Sequence, residues 1–449
     1  MNTQTATDSS PRPLRGTAGQ AAPSRNLALF AQSALFICGL LCWIGTPKYA
    51  KGQFAFTVSP LQAGIPLLGL AALALMLLSY GTSLPRVTRP SSASVWLLLG
   101  CGLIFLGAAV HLQGGALGQD TIVYLARWSM PFFFLVLLWF LMSLGGSLSS
   151  ILHGLIAGAA ISALGVILSR AGMNLPTGFS GEGRASGFTA HPNQYGIIAS
   201  GTAPFLVYYL QSTRRWLQAL GWVALGLWGL VLFQALSKTN IILFPVALVL
   251  TFLATSLNRT GSFLRSLVLI GVISVALAGL AVIGLELVRE IAPREAQTFE
   301  SAFEDPFHAK SVQQREGAWE EVFSYLKLHP ILGLGPGWAE DHLMFTHAHN
   351  LYVQAYVDAG LTGFIGIILV TIAVLIRTWK ALWAIAGIGD DIDDDDRIQV
   401  MAVVALIISL LGNSMSSSLS MGTMTVFVVL LGIAFVRPQP PRQPADDAP

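Results

Sequence analysis

Charge is scarce in this chain. Asp, Glu, Lys and Arg make up 11% of its 449 residues, against about a quarter in a soluble domain. That scarcity, beside a 54% hydrophobic composition, excludes an ordinary water-soluble globule. Cysteine is nearly absent. Cys38, Cys42 and Cys101 all fall in apolar runs, so no disulfide framework marks a redox compartment. Cys38 and Cys42, four apart, share a helix face as small packing groups. Paired cysteines and His-Glu-x-x-His are both missing, so no strong metal-ligand set stands out. Alternating strands are missing too, because the apolar runs are too long and uniform for a barrel. The first apolar run has no small-residue cleavage site after it and reads as a span, not a signal peptide.

What is present is long hydrophobic stretches. Runs of about 20 apolar residues, enough to cross a bilayer as helix, lie near 27–46, 60–80, 94–112, 126–144, 150–169 and 192–210. Further runs lie near 217–236, 241–257, 266–285, 355–376, 400–418 and 420–436. The chain is therefore expected to be an all-α polytopic membrane protein of about twelve transmembrane helices. The expected division is a disordered cytoplasmic tail 1–26, spans over 27–285, a large loop 286–350, spans over 351–436, and a second disordered tail 437–449. Basic residues orient it. Arg86, Arg89, Arg214, Arg215, Arg259, Arg265, Arg377, Lys380 and Arg397 gather on the loops that share a side with both termini. By the positive-inside rule that side is cytoplasmic, and Glu286–Asn350 is outside.

The large loop holds 16 charged residues out of 65, a density like that of soluble protein. Within it Ser311–Leu328 has helical periodicity, with Val312, Trp319, Val322 and Leu326 on one seam. An amphipathic helix on the bundle or the membrane surface is expected there. Arg315 falls on the apolar seam, so its guanidinium needs an anionic partner or a path to the interface. His329-Pro330 ends the helix, and Gly333-Leu-Gly335-Pro-Gly337-Trp338 follows as a tight turn. The acidic run Asp390, Asp391 and Asp393–Asp396 reads as a solvated cytoplasmic loop or a divalent-cation site that outer chemistry cannot use.

Seven of the eight histidines map to the outer side: His111, His191, His308, His329, His342, His347 and His349. His347-Ala348-His349-Asn350 stands just before an apolar run. His-x-His, with Asp341 and His342 near, is a metal-ligand spacing. The competing readings are a structural cap and a single general base: a helix beginning after Asn350 would keep His349 neutral and able to accept a proton. Arg184 in an outer glycine-rich loop, Lys238 in a short outer turn, and Arg315 add positive charge on the same side. Lys238 can also be read as a snorkelling side chain. Outward cations plus one base suit a lipid-linked phosphate or diphosphate, the cations holding leaving-group charge and the base taking a hydroxyl proton.

Three stretches resemble the O-antigen ligase and polymerase superfamily. They are Arg184 through His191-Pro192-Asn193 to Gly196; Ser237-Lys238; and Arg315 to Trp319 followed by His329-Pro330, Gly333, Gly335, then His349-Asn350, nine residues and Gly360. The resemblance implies a GT-C-like membrane fold with one large periplasmic loop. It implies a metal-independent, inverting glycan transfer from undecaprenyl diphosphate, with no cofactor. The acceptor would be lipid A-core or a growing glycan, on the periplasmic face of the bacterial inner membrane. No nucleic-acid partner is implied. His349 would be the base, with Arg315 and Arg184 near the diphosphate, and His347, Asn350, His191 and Asn193 lining the substrate. Lys238 stands where many members have Arg, and Lys lacks the bidentate fork. Arg289 and Arg294 are rivals to Arg315 for the diphosphate. The alternative class is a glycan transporter or flippase, which would carry charge within its spans.

Overall fold

The computed structural model describes residues 24–45, 60–80, 92–114, 118–175, 177–179, 184–189, 191–256, 310–342, 348, 350–388, 394–412 and 421–436, with isolated positions between 267 and 297. Along these the helices are α1 (Arg25–Leu41), α2 (Pro60–Tyr80), α3 (Ser92–Ala109), α4 (Gly118–Ser143), α5 (Leu148–Arg170), α6 (Pro192–Thr202) and α7 (Leu206–Leu210). They continue as α8 (Arg215–Ala235), α9 (Lys238–Ser256), α10 (Lys310–Leu326), α11 (Trp338–His342), α12 (Leu351–Ile388), α13 (Asp394–Ile407) and α14 (Met421–Phe435). One short antiparallel pair, β1 (Gly178–Phe179) with β2 (Ala185–Gly187), lies between α5 and α6.

Among the described residues six helices are long and apolar enough to cross a membrane: Ser92–Leu112, Tyr124–Ser143, Leu148–Arg170, Arg215–Ala235, Lys238–Ser256 and Leu351–Trp383. Three shorter apolar helices, Arg25–Leu41, Gly64–Leu75 and Val426–Phe435, accompany them. Of the expected span near 266–285 only Leu267, Val268, Ile270, Gly271, Val272, Val275 and Gly279 are described, and nearly all of both tails lies outside the described residues. The expected span at 192–210 is not one helix. Pro204 falls in a 3-10 turn, Ala203–Phe205, that separates α6 from α7. Almost every residue of α6 is buried, so it is an interior element and not a lipid-facing one. The helices α8, α9, α13 and α14 pack around it. Many large apolar side chains on the other helices stay exposed, Leu98, Leu106, Ile161, Leu164 and Val223 among them. Lipid is the solvent that such faces fit.

Without a hydrophobic drive between helices inside lipid, close backbone approach supplies the contact. The pairing of α3 with α12 shows this: a Cβ on Gly100 would stand 2.6 Å from the Gly366 carbonyl oxygen, and the reverse is equally tight. At the end that the charge bias assigns to the cytoplasm, Arg377 ties three helices together. Its Nε donates to the Ala434 carbonyl at 2.7 Å, and its Nη2 to Gln399 Oε1 at 2.5 Å. Gln399 in turn donates to the Val436 carbonyl.

The end of the acidic run, solvated or half-buried, also makes contacts within the bundle. Asp394, Asp395 and Asp396 form the first turn of α13. Carboxylates there face the positive end of the helix dipole. The Asp395 Oδ1 also accepts from the Leu148 amide, at the start of α5, at 3.2 Å. Asp394 accepts from the Tyr208 hydroxyl at 3.2 Å. These are helix-start and inter-helix contacts, while Asp390, Asp391 and Asp393 lie outside the described residues.

Candidate active site

Two polar clusters stand out. The first forms where α6 begins, α8 ends and α9 begins. His191 is the N-cap of α6, and its Nδ1 accepts from the Asn193 amide at 3.1 Å. Pro192 follows at the first helical position, where a missing N–H costs nothing. α8 stops at Ala235, and the chain reverses through Leu236, whose φ of 47° is left-handed. Such a conformation is uncommon for a residue with a side chain, and the surrounding structure must hold it. The carbonyl of Ala235, at the helix end, needs an outside donor. Arg184 supplies one: its Nε donates to Ala235 O at 3.0 Å, while its Nη2 donates to Asn193 Oδ1 at 2.7 Å. One guanidinium thus joins the start of α6 to the end of α8.

Beneath it Asn240 of α9 donates to Ser237 Oγ and accepts from Ser200 Oγ of α6, each at 2.7 Å. Lys238 is half-buried in the first turn of α9. That is the positive end of the helix dipole, where a cation is disfavoured and an anion is welcome. Arg184, Lys238 and the α9 N-terminus therefore make one electropositive corner.

The second cluster is built by α10, the turn after it and α12. The sequence reading expected a continuous span from 355 to 376. Instead α12 breaks at Ala359 (φ −138°, ψ 15°) and Gly360 (φ 62°, ψ −154°). The segment 351–358 folds back beside the segment after 360. A Cβ on Gly363 would strike the Ala355 carbonyl, eight residues earlier. Tyr356 and Phe364 meet at a tilt of 47° with ring centroids 5.8 Å apart, and the Tyr352 hydroxyl reaches Thr371 Oγ1 at 3.1 Å. In a straight helix residues 352 and 371 would be about 28 Å apart along the axis.

The backbone groups freed by the break are taken up by the glycine-rich turn. The Leu361 amide donates to Ile331 O at 3.1 Å, and Val357 O accepts from the amides of Leu334 (2.7 Å) and Gly335 (3.2 Å). His111, in the 3-10 turn Val110–Gly114 that follows α3, holds the Leu332 carbonyl at 2.8 Å through Nε2. Since a carbonyl only accepts, that nitrogen carries the proton.

The fold-back carries the start of α12 down beside α10. Trp319 Nε1 donates to Ala348 O at 2.6 Å. The Asn350 side chain caps α12, its Oδ1 accepting from the amides of Tyr352 (2.8 Å) and Val353 (3.1 Å). Val322 and Leu326 are buried against Val357 and Ala339, so the expected seam of α10 packs on the protein. Val312 has no described side chain. Arg315, one turn before Trp319, is half-buried, and desolvation pulls its guanidinium below the ordinary value. An anion beside it would relieve that cost.

The clusters meet through Tyr352. Its hydroxyl also donates to Leu410 O at 3.3 Å, in the π-helical turn Ile408–Gly412. That turn packs on α6 and α9.

Of the residues singled out in the sequence, Arg184, His191, Asn193 and Lys238 come together in the first cluster, and Arg315 and Asn350 belong to the second. Arg289 is exposed and paired with Glu286, one helical turn earlier. His347, His349 and Arg294 lie outside the described residues. His342 stacks flat on Trp338, and His329 is exposed. Among the described residues no three His, Cys, Asp or Glu side chains are grouped to hold a metal ion. A cavity of about 360 Å³ lined by Tyr208, Arg214, Asp394 and Arg397 is at the opposite end of the bundle.

Sequence reasoning missed Trp319 as a hydrogen-bond donor, and missed Tyr352, Gln354 and Asp358 as polar groups of the second cluster. The spacing of Gln354 and Asp358, four apart on one helix face, was the available signal. Residues 222–368 match the family model described as O-antigen ligase. That stretch runs from α8 past the break in α12 and holds Lys238, Arg315 and the histidine pair. No curated protein matches the chain.

Proposed function

We propose that this chain, a multi-pass helical protein whose residues 222–368 match the O-antigen ligase family model, transfers a glycan from undecaprenyl diphosphate to an acceptor sugar. The acceptor is lipid A-core or a growing polysaccharide, at the periplasmic face of the bacterial inner membrane. The fold is GT-C-like. An acceptor hydroxyl oxygen attacks the anomeric carbon, and the bond from that carbon to the diphosphate oxygen breaks with inversion. His349 takes the hydroxyl proton, and the lipid diphosphate leaves with the electron pair. Arg315, Arg184 and Lys238 hold the charge that grows on the leaving group. His191, Asn193, His347 and Asn350 shape the pocket. Arg289 is a weaker choice than Arg315, because it is exposed and already paired with a carboxylate.

One observation carries this reading most of the way. The fold-back of α12 brings the chain around Ala348 and Asn350 against α10, one helical turn from Arg315. A proton acceptor and a desolvated cation are what displacement from a lipid diphosphate needs together. The broken helix is also a transporter trait. Here the Leu361 amide and the Val357 carbonyl at the break are taken up by the turn at 331–335. The test is transfer by the purified protein in detergent, from undecaprenyl diphosphate glycan to candidate acceptors, read by mass spectrometry. Lipid flipping in proteoliposomes without any transfer would favour the transporter.

A further inference from the structure

Asp358 is a buried carboxylate, 3% exposed, in the last turn of α12 before the break. The roles given above leave it unused. Its Oδ1 accepts from Gln354 Nε2 at 2.8 Å. Gln354 Oε1 accepts from the Ala348 amide at 3.0 Å. Ala348 is the residue between the two histidines, and its carbonyl is held from the other side by Trp319. Across the interface, Tyr124 of α4 is within electrostatic reach of both Asp358 and Arg127.

We infer that Asp358 is a positioning residue, which fixes the Gln354 amide so that it clamps the backbone at Ala348. The argument is one of donors and acceptors. A side-chain amide can turn over, exchanging its oxygen and its NH₂. An ionised carboxylate only accepts. Beside Asp358, Gln354 must aim its NH₂ at the carboxylate, which leaves its oxygen for the Ala348 N–H. Without Asp358 both orientations are open, and one of them sets a donor against a donor. The inference names a supporting part of the proposed site and rests on that reading only for its catalytic consequence.

The test pairs hydrogen exchange with transfer, using Asp358→Leu, Asp358→Asn, Gln354→Leu and the double Leu variant in detergent. Asp358→Leu should speed exchange of the Ala348 amide about tenfold, the factor that a single hydrogen bond's net worth corresponds to. Single-turnover transfer at saturating donor should fall by a similar factor, with donor affinity unchanged. Asp358→Asn keeps an acceptor oxygen, but its own amide can turn over, so it should restore both only in part. Gln354→Leu should copy Asp358→Leu, and the double variant should be no worse than either single one. Unchanged exchange at Ala348 overturns the inference. So does a double Leu variant clearly worse than either single one, because Asp358 and Gln354 would then act independently. If Asp358→Leu does not fold, Gln354→Leu carries the exchange arm. A wild-type protein inactive on every glycan donor would sink the functional reading, while the exchange arm still judges Asp358.

Discussion

Gly333 and Gly360 lie back to back. A Cβ on Gly333 would collide with the Gly360 nitrogen, and a Cβ on Gly360 would collide with the Ile331 carbonyl. Both have positive φ, 75° and 62°. At Gly360 the ψ of −154° adds a combination that is essentially closed to other residues. Gly360→Ala should therefore disrupt the docked turn by more than the ~1–3 kcal/mol of backbone strain alone. A clear loss of thermal stability, or no folded protein, is expected. Gly317→Ala on α10 is the control. Its Cβ meets nothing within 4 Å, so it should be neutral or stabilising by up to ~1 kcal/mol.

Arg184 is expected to matter twice, for folding and for donor binding. Arg184→Ala leaves the Ala235 carbonyl and Asn193 without their donor, and each lost charge-assisted bond is worth about 1.5–3 kcal/mol. Arg184→Lys should recover little, because one ammonium cannot reproduce the planar two-point contact. Thermal unfolding and donor binding, measured on the same samples, separate the two effects. Wild-type stability in Arg184→Ala would show that the bridge between α6 and α8 is idle.

Lys238 and Arg315 should behave differently from each other. Lys238→Arg is expected to be tolerated or to improve donor affinity, and Lys238→Ala to weaken it. Arg315→Ala should lower affinity and turnover together, since a charge-assisted contact to diphosphate acts in the ground state as well as the transition state. Isothermal binding of a diphosphate lipid to each variant reads this. Unchanged affinity in Lys238→Ala would return that residue to a snorkelling role.

Chelation should leave transfer intact. The expected catalytic groups are a base and cations, and Asp394 and Asp395 at the end of the acidic run are engaged with Tyr208 and Leu148. Transfer lost in EDTA and restored by Mg²⁺ or Mn²⁺ would overturn the metal-independent scheme.

Much of the site's composition was legible in the sequence. Charge is so rare here that Arg184, Lys238 and Arg315 stood out by type alone, and the seam of Trp319, Val322 and Leu326 was readable as period 3.6. The break in α12 was not. Apolar residues continue across 359–360, so hydropathy alone reads one helix. Gly360 could be flagged as part of a motif, but its partner Gly333 is 27 residues away and the collision between them exists only in three dimensions. The contacts of Asp394 and Asp395 were hidden for a related reason. The charge density of the run looks like a solvated loop until Leu148 and Tyr208, distant in sequence, arrive beside it. Asp358 was passed over because a lone acid in an apolar run shows no partner until Gln354 and α4 are in place.

The central claim is that His349 is the base of a glycan transfer, and single-turnover transfer by His349→Ala tests it most directly. The variant should fold, bind undecaprenyl diphosphate glycan with wild-type affinity, and transfer about 10²–10⁴-fold more slowly, the usual contribution of a general base. His347→Ala should retain most of its rate. Near-wild-type transfer by His349→Ala would contradict the account: if His347→Ala is then dead, the base is the other histidine, and if neither matters, the pair only caps a helix.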